Sequence, residues 1–314
     1  MINKQVMSRQ TTVSNKVSCQ GVGLHSGKQV VMNILPAAAG SGIIFKRTDI
    51  AAEKSLVPAR FDAVCETKLG TTIRNDYGIT VSTIEHLMAA LWGVGIDNAL
   101  IELDGPEVPI MDGSSEPFVF MLECAGIASL HAPRRILRIL KAVEVHDGDS
   151  NARISPNKEG DCGMMLNIEI DFNHSVIGKQ MAEYDFRDIT FKQSVSRART
   201  FGFEHEVTAL RSMGLALGGS LDNAVVVGKD SILNQEGLRY SDEFVRHKAL
   251  DCVGDLFLAG ARIDGVVSVT RPGHAINNSL LRAVFADESA YVIESEGEIA
   301  PVLTAPRVAN RAYA

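Results

Sequence analysis

Apolar and polar positions alternate through much of the first third of the chain, in KQVVMNIL, GIIFKR, KLGTTI and YGITVS, with Gly- and Asn/Asp-rich turns between them. Such alternation predicts short strands with one face on a core. The period then changes. Ile84, Leu87, Met88 and Leu91 recur at helical intervals, with Ser82 and Glu85 at capping-box spacing ahead of them and Gly93 and Gly95 behind. NALIEL reads as a further strand, and SSEPFVFMLECAG as a second helix closed by Gly126. After the basic, Pro-containing HAPRR, strands and then helices come again. This order predicts an α+β fold of two similar two-layer sandwich domains, residues 1–130 and 131–314, with helices on one face of each sheet.

A faint repeat supports that division. His86 and Gly93 in EHLMAALWG have the spacing of His247 and Gly254 in RHKALDCVG. Each stretch leads through a strand to a polar turn, MDGSS in one half and RPGHAINNS in the other. Two related domains that bring equivalent helices together would leave a cleft where the copies have diverged.

Composition narrows the classes. At 46% hydrophobic and 22% charged the chain is an ordinary globular protein. A net charge of −7 without a block of Lys or Arg excludes a nucleic-acid footprint. No apolar run is long enough to span a bilayer, and MINKQVMSRQTT lacks the features of a secretory signal, so a cytoplasmic monomer is the expectation. The five cysteines contain no C-x-x-C pair and read as free thiols, small hydrophobes in the core.

The stretch SDEFVRHKALDCVGDLFLAG carries the most chemistry. Phe244, Val245, Leu250, Val253, Leu256, Phe257 and Leu258 surround most of the helix, which predicts burial and therefore partners for its polar residues. His247 and Asp251, four apart, stack on one face within reach of one metal ion. Asp255 lies about 12 Å along the axis from His247 and suits an orienting role instead. His86 is the candidate third ligand. Two imidazoles and a carboxylate leave a fourth tetrahedral position for water, the pattern of a catalytic zinc. Glu85, about 100° around the helix from His86, can stand beside that water as a general base. The competing reading makes Glu85 a member of a capping box and the His/Asp pair a hydrogen-bonded couple.

TIEHLMAAL, SRARTFGF, GGSLDNAVV, DEFVRHKALDCVGDL and PGHAINNSLLRA, with GVGLHSG and MDGSS, resemble the bacterial UDP-3-O-acyl-N-acetylglucosamine deacetylases of lipid A synthesis, from about residue 9 onward. The resemblance implies a fold of paired α/β sandwiches, each with a small insertion, and an active site between their helices. It implies that His86, His247 and Asp251 bind zinc and that Glu85 is the general base. His274 would be the protonated partner, oriented by Asp255, and Thr200 would meet the developing oxyanion. Lys248 would face the phosphates or sugar of the UDP-linked acylated substrate, with Phe201 beside it. Val207, Leu210, Leu215 and Ala216, in an insertion near residues 204–224, would wall the acyl chain; from residues alone, a short packed helix is the simpler reading. A zinc amidohydrolase for another N-acyl sugar and a silent binding protein of the same fold are the rivals. His25 reads as a structural or exposed turn residue.

Overall fold

The computed structural model describes residues 9–187 and 190–295. The outermost ends of the two expected domains, residues 1–8 and 296–314, lie outside the described residues.

In the first half, β1 (Arg9–Val13) stands apart from a five-stranded sheet of β2 (Val17–Val22), β3 (Gln29–Pro36), β4 (Ile43–Arg47), β5 (Leu56–Pro58) and β9 (Ala99–Leu103), ordered 2-3-9-4-5. Alternation sets its inner face: Val30, Met32 and Ile34 of β3, Ile43 and Phe45 of β4, and Ala99, Ile101 and Leu103 of β9 are buried. A small sheet of β6 (Val64–Glu66), β7 (Thr72–Arg74) and β8 (Thr80–Val81) is inserted ahead of α1 (Glu85–Val94). The strand expected at KLGTTI begins only at Thr72. Leu69 takes φ 62, turning the chain before the strand so that Gly70 and Thr71 face α1.

Helix α2 (Glu116–Ala125) leads into β10 (Ile127–Pro133), which pairs antiparallel with β1 and contains the expected boundary at residue 130. The second half forms a seven-stranded sheet. Its path runs through β12 (Val143–Asp147), β13 (Ser150–Ser155), β18 (Arg262–Thr270), β11 (Arg135–Ile139) and β19 (Tyr291–Ser295), with β14 (Met164–Asp171) on β18 and β15 (Lys179–Asp185) beyond it. A short α3 (Phe191–Ser194) precedes an inserted unit in which β16 (Phe201–Phe203) and β17 (Val225–Val227) pair in parallel around α4 (Glu204–Ser212). Helices α5 (Glu243–Leu256) and α6 (His274–Ala286) cover the sheet.

RPGHAINNS is a turn only as far as Gly273, because His274 already opens α6. The halves thus match as helix, strand, turn and helix: α1, β9, MDGSS, α2 against α5, β18, RPG, α6. Their helix layers face each other across α1 and α5, and one hydrophobic core runs through both. Gly254 permits that crossing. A Cβ there would strike the Glu85 carbonyl oxygen and sit 3.1 Å from the Ala89 nitrogen.

All five cysteines are free, but only Cys252 is buried; Cys65, Cys124 and Cys162 are exposed and Cys19 is half-buried. The expectation of core thiols is corrected accordingly. Three of them fall where outward strand, turn or helix faces meet solvent. Among the described residues no helix is long and apolar enough to cross a membrane.

Candidate active site

The crossing of α1 and α5 brings together residues that the sequence separates widely. His86, His247 and Asp251 are buried, and one potential ligand atom from each lies within 4.8 Å of the other two. Asp251 Oδ1 sits 3.3 Å from His247 Nε2 and 3.5 Å from His86 Nε2. Those separations match the edges of a tetrahedron around an ion bound at 2.0–2.2 Å, about 3.3–3.6 Å.

Protonation decides between a metal site and a hydrogen-bonded couple. His247 Nδ1 donates to the Ala198 carbonyl at 3.1 Å, and a carbonyl can only accept. Burial lowers the His247 pKa from 6.5 to about 3, so the ring is neutral and Nε2 holds a lone pair. Burial opposes ionisation of Asp251, yet the charges of Lys248 and His274 keep its carboxyl well below the usual range. A lone pair therefore faces a carboxylate oxygen. Asp251 Oδ1 has no hydrogen-bond partner among the described residues, nor has His86 Nδ1, and both are buried. His247 Nε2 and Asp251 Oδ1, two acceptors 3.3 Å apart, repel unless a cation lies between them, so the donor set fits a divalent metal ion.

Glu85 is not a capping residue. It opens α1 directly after Ile84, and the helix start has no side-chain cap. Its Oε2 accepts the Thr71 backbone N–H at 2.9 Å, while Oε1 faces His274 Nε2 at 3.9 Å. Burial pushes the Glu85 carboxyl above its ordinary range, with His274 and His86 opposing the rise.

His274, at the first position of α6, donates a hydrogen bond from Nδ1 to Asp255 Oδ2 at 2.9 Å. Burial works against its protonation, but Asp255 and Glu85 outweigh it and raise the pKa from 6.5 to about 9. Asp255, one turn beyond Asp251, thus has the contact with His274 that an orienting role requires. Its other contacts were not legible from local patterns: Asn277 donates to Oδ2 at 2.9 Å and the Thr71 hydroxyl to Oδ1 at 2.6 Å. Thr71 hides in a strand-like motif, and Asn277 in a stretch that reads as a turn.

Of the remaining candidates, Lys248 and Phe201 stand beside this centre. Lys248 Nζ lies 3.0 Å from Asp251 Oδ2 and 5.4 Å from the Phe201 ring centroid, and that ring is 6.2 Å from the His247 ring. Thr200 falls between Ala198 and Phe201, its backbone paired to Gly113 and Val225. Val207, Leu210, Leu215 and Ala216 are half-buried, and α4 contains no buried residue. The segment after α4 docks on GVGLHSG, where His25 is a structural turn residue, as expected. Its Nε2 lies 3.2 Å from the Leu69 carbonyl, and its Nδ1 accepts the Ala216 N–H at 3.4 Å.

The family model for UDP-3-O-acyl N-acetylglycosamine deacetylase matches residues 10–286. The UDP-3-O-acyl-N-acetylglucosamine deacetylase of Actinobacillus succinogenes is 49% identical, over 91% of this chain and 92% of its own length. That of Shewanella frigidimarina is also 49% identical, over 91% and 92%. That of Myxococcus xanthus is 50% identical, over 90% and 88%.

Proposed function

The chain belongs to the UDP-3-O-acyl N-acetylglycosamine deacetylase family, and we propose that it hydrolyses the acetamide of UDP-3-O-[(R)-3-hydroxyacyl]-N-acetylglucosamine to the free amine and acetate in lipid A biosynthesis. The observation that carries this reading is the lone pair of His247 Nε2 held against the ionised Asp251 Oδ1, with Glu85 and His274 facing each other beside it. His86, His247 and Asp251 would hold zinc, the ion that suits two imidazoles and a carboxylate. When bound, zinc supplies a Lewis acid that polarises an amide carbonyl and makes a water acidic enough to lose a proton near neutral pH.

Glu85, ionised, takes the proton of the attacking water. The new C–O bond turns the carbonyl oxygen into an oxyanion, to which the Thr200 hydroxyl donates. His274, protonated, gives its Nε2 hydrogen to the departing nitrogen as the C–N bond breaks. Lys248 meets the phosphates or the sugar, and Phe201 packs beside it. The part-exposed apolar residues Val207, Leu210, Leu215 and Ala216 support an acyl-chain wall in the inserted unit.

One chain supplies every residue of this site, which supports a monomer as the active unit, and the absence of a spanning helix among the described residues fits a cytoplasmic enzyme. The matched element order of the halves supports two domains dividing near residue 130. The test is acetate release from the acylated UDP-sugar by the wild-type chain and Glu85→Ala. The reading expects turnover by wild type and a loss of about 100- to 10,000-fold in the variant with its metal retained. Wild-type protein that leaves the acetamide intact would refute it.

A further inference from the structure

Two carboxylates of opposite proposed duty meet at one residue outside the His86, His247 and Asp251 set. Thr71 lies in the loop between β6 and β7, 2% exposed. Its backbone N–H holds Glu85 Oε2 at 2.9 Å, and its hydroxyl donates to Asp255 Oδ1 at 2.6 Å. Glu85 belongs to α1 of the first half, and Asp255 to α5 of the second.

Each contact leaves the working atom free and aimed. With Oε2 of Glu85 occupied, only Oε1 remains to face His274 Nε2. Gly70 guards that atom's space, since a Cβ there would lie 3.0 Å from Oε1. On the other side, Asp255 carries three donors: Thr71 on Oδ1, and His274 and Asn277 on Oδ2. A carboxylate fixed at both oxygens cannot rotate, so the imidazole that it holds cannot turn either. The positive φ of Leu69 sets the loop in this pose, and His25 Nε2 lies against the Leu69 carbonyl from outside.

We propose that Thr71 is a positioning residue of the deacetylation, whose backbone N–H and hydroxyl fix the separation and aim of Glu85 and His274 across the two halves. The inference rests on the acid and base roles proposed above. Reaction geometry is sensitive to displacements far smaller than the 3.9 Å between those groups, whereas substrate binding depends on other surfaces. Loss of the hydroxyl should therefore act on kcat and leave KM alone.

Thr71→Val keeps the shape and backbone donor but removes the hydroxyl, and Thr71→Ser keeps the hydroxyl while losing a methyl. The measurement is steady-state deacetylation by wild type, T71V and T71S, with bound metal and melting temperature recorded for each. We expect T71V to lose at least about tenfold in kcat, as for a hydrogen bond to a charged group, with KM and metal per chain unchanged. T71S should recover most of the loss. A T71V enzyme that melts earlier but turns over normally per metal-loaded chain would reduce Thr71 to packing and overturn the proposal. So would a T71S enzyme as slow as T71V. A wild-type enzyme without deacetylase activity would instead overturn the functional reading itself, and the two failures are distinct.

Discussion

At the residue scale the candidate site raises both of its facing ionisable groups. Burial raises the Glu85 carboxyl, while Asp255 and Glu85 together raise His274 to about 9 against the effect of its own burial. A rate that needs ionised Glu85 and protonated His274 rises through an acid limb and falls as pH passes about 9. Asp255→Asn removes the anion that does most to raise His274, so a pH–rate profile of that variant should show the alkaline limb moved to lower pH. His274→Gln, which keeps a donor without a titrating charge, should abolish the limb while bound metal stays at the wild-type level. If both variants keep the wild-type limb, another group titrates there and His274 is not the acid.

At the scale of elements, the site depends on how closely two helices cross. Gly254→Ala would place a methyl against the carbonyl oxygen of Glu85, a backbone atom that cannot swing aside. Overpacking of this kind costs about 1–3 kcal/mol, and urea denaturation should read a loss of that size. Because the shift falls between His86 and His247, metal affinity should weaken as well; an Ala variant with wild-type stability and affinity would show that the crossing has slack. The inserted unit poses a separate question. Leu215 is half-buried on a segment whose preceding helix has no buried residue, so Leu215→Asn should weaken an acylated substrate much more than a shortened analogue, as read by KM for each. Equal effects on both would make the segment ordinary structure. These elements also mark what local patterns convey. The periodicity of EHLMAALWG and of RHKALDCVG predicts both helices of the candidate site, because burial and 3.6-residue spacing are written locally. The capping-box reading of Ser82 and Glu85 fails because the partner of Glu85 is Thr71, held by a loop 14 residues upstream. The polar stretch HAINNS hides the start of α6 because Asn277 and Asn278 find tertiary partners, Asp255 and the Phe61 carbonyl, that no composition rule contains.

At the scale of the whole molecule, the candidate site draws on both halves of the chain. The first contributes His86 and Glu85, the second His247, Asp251, Asp255 and His274, and a shared core holds them in register. A metal bound at that seam ties the halves together, so it should stabilise the folded chain as any ligand specific to the native state does. The most direct test follows acetate release from UDP-3-O-acyl-N-acetylglucosamine, before chelation, after it, and after zinc is returned. The account predicts that activity disappears with the chelated metal, that the melting temperature falls with it, and that both return as zinc approaches one ion per chain. Undiminished turnover by fully chelated protein would contradict it.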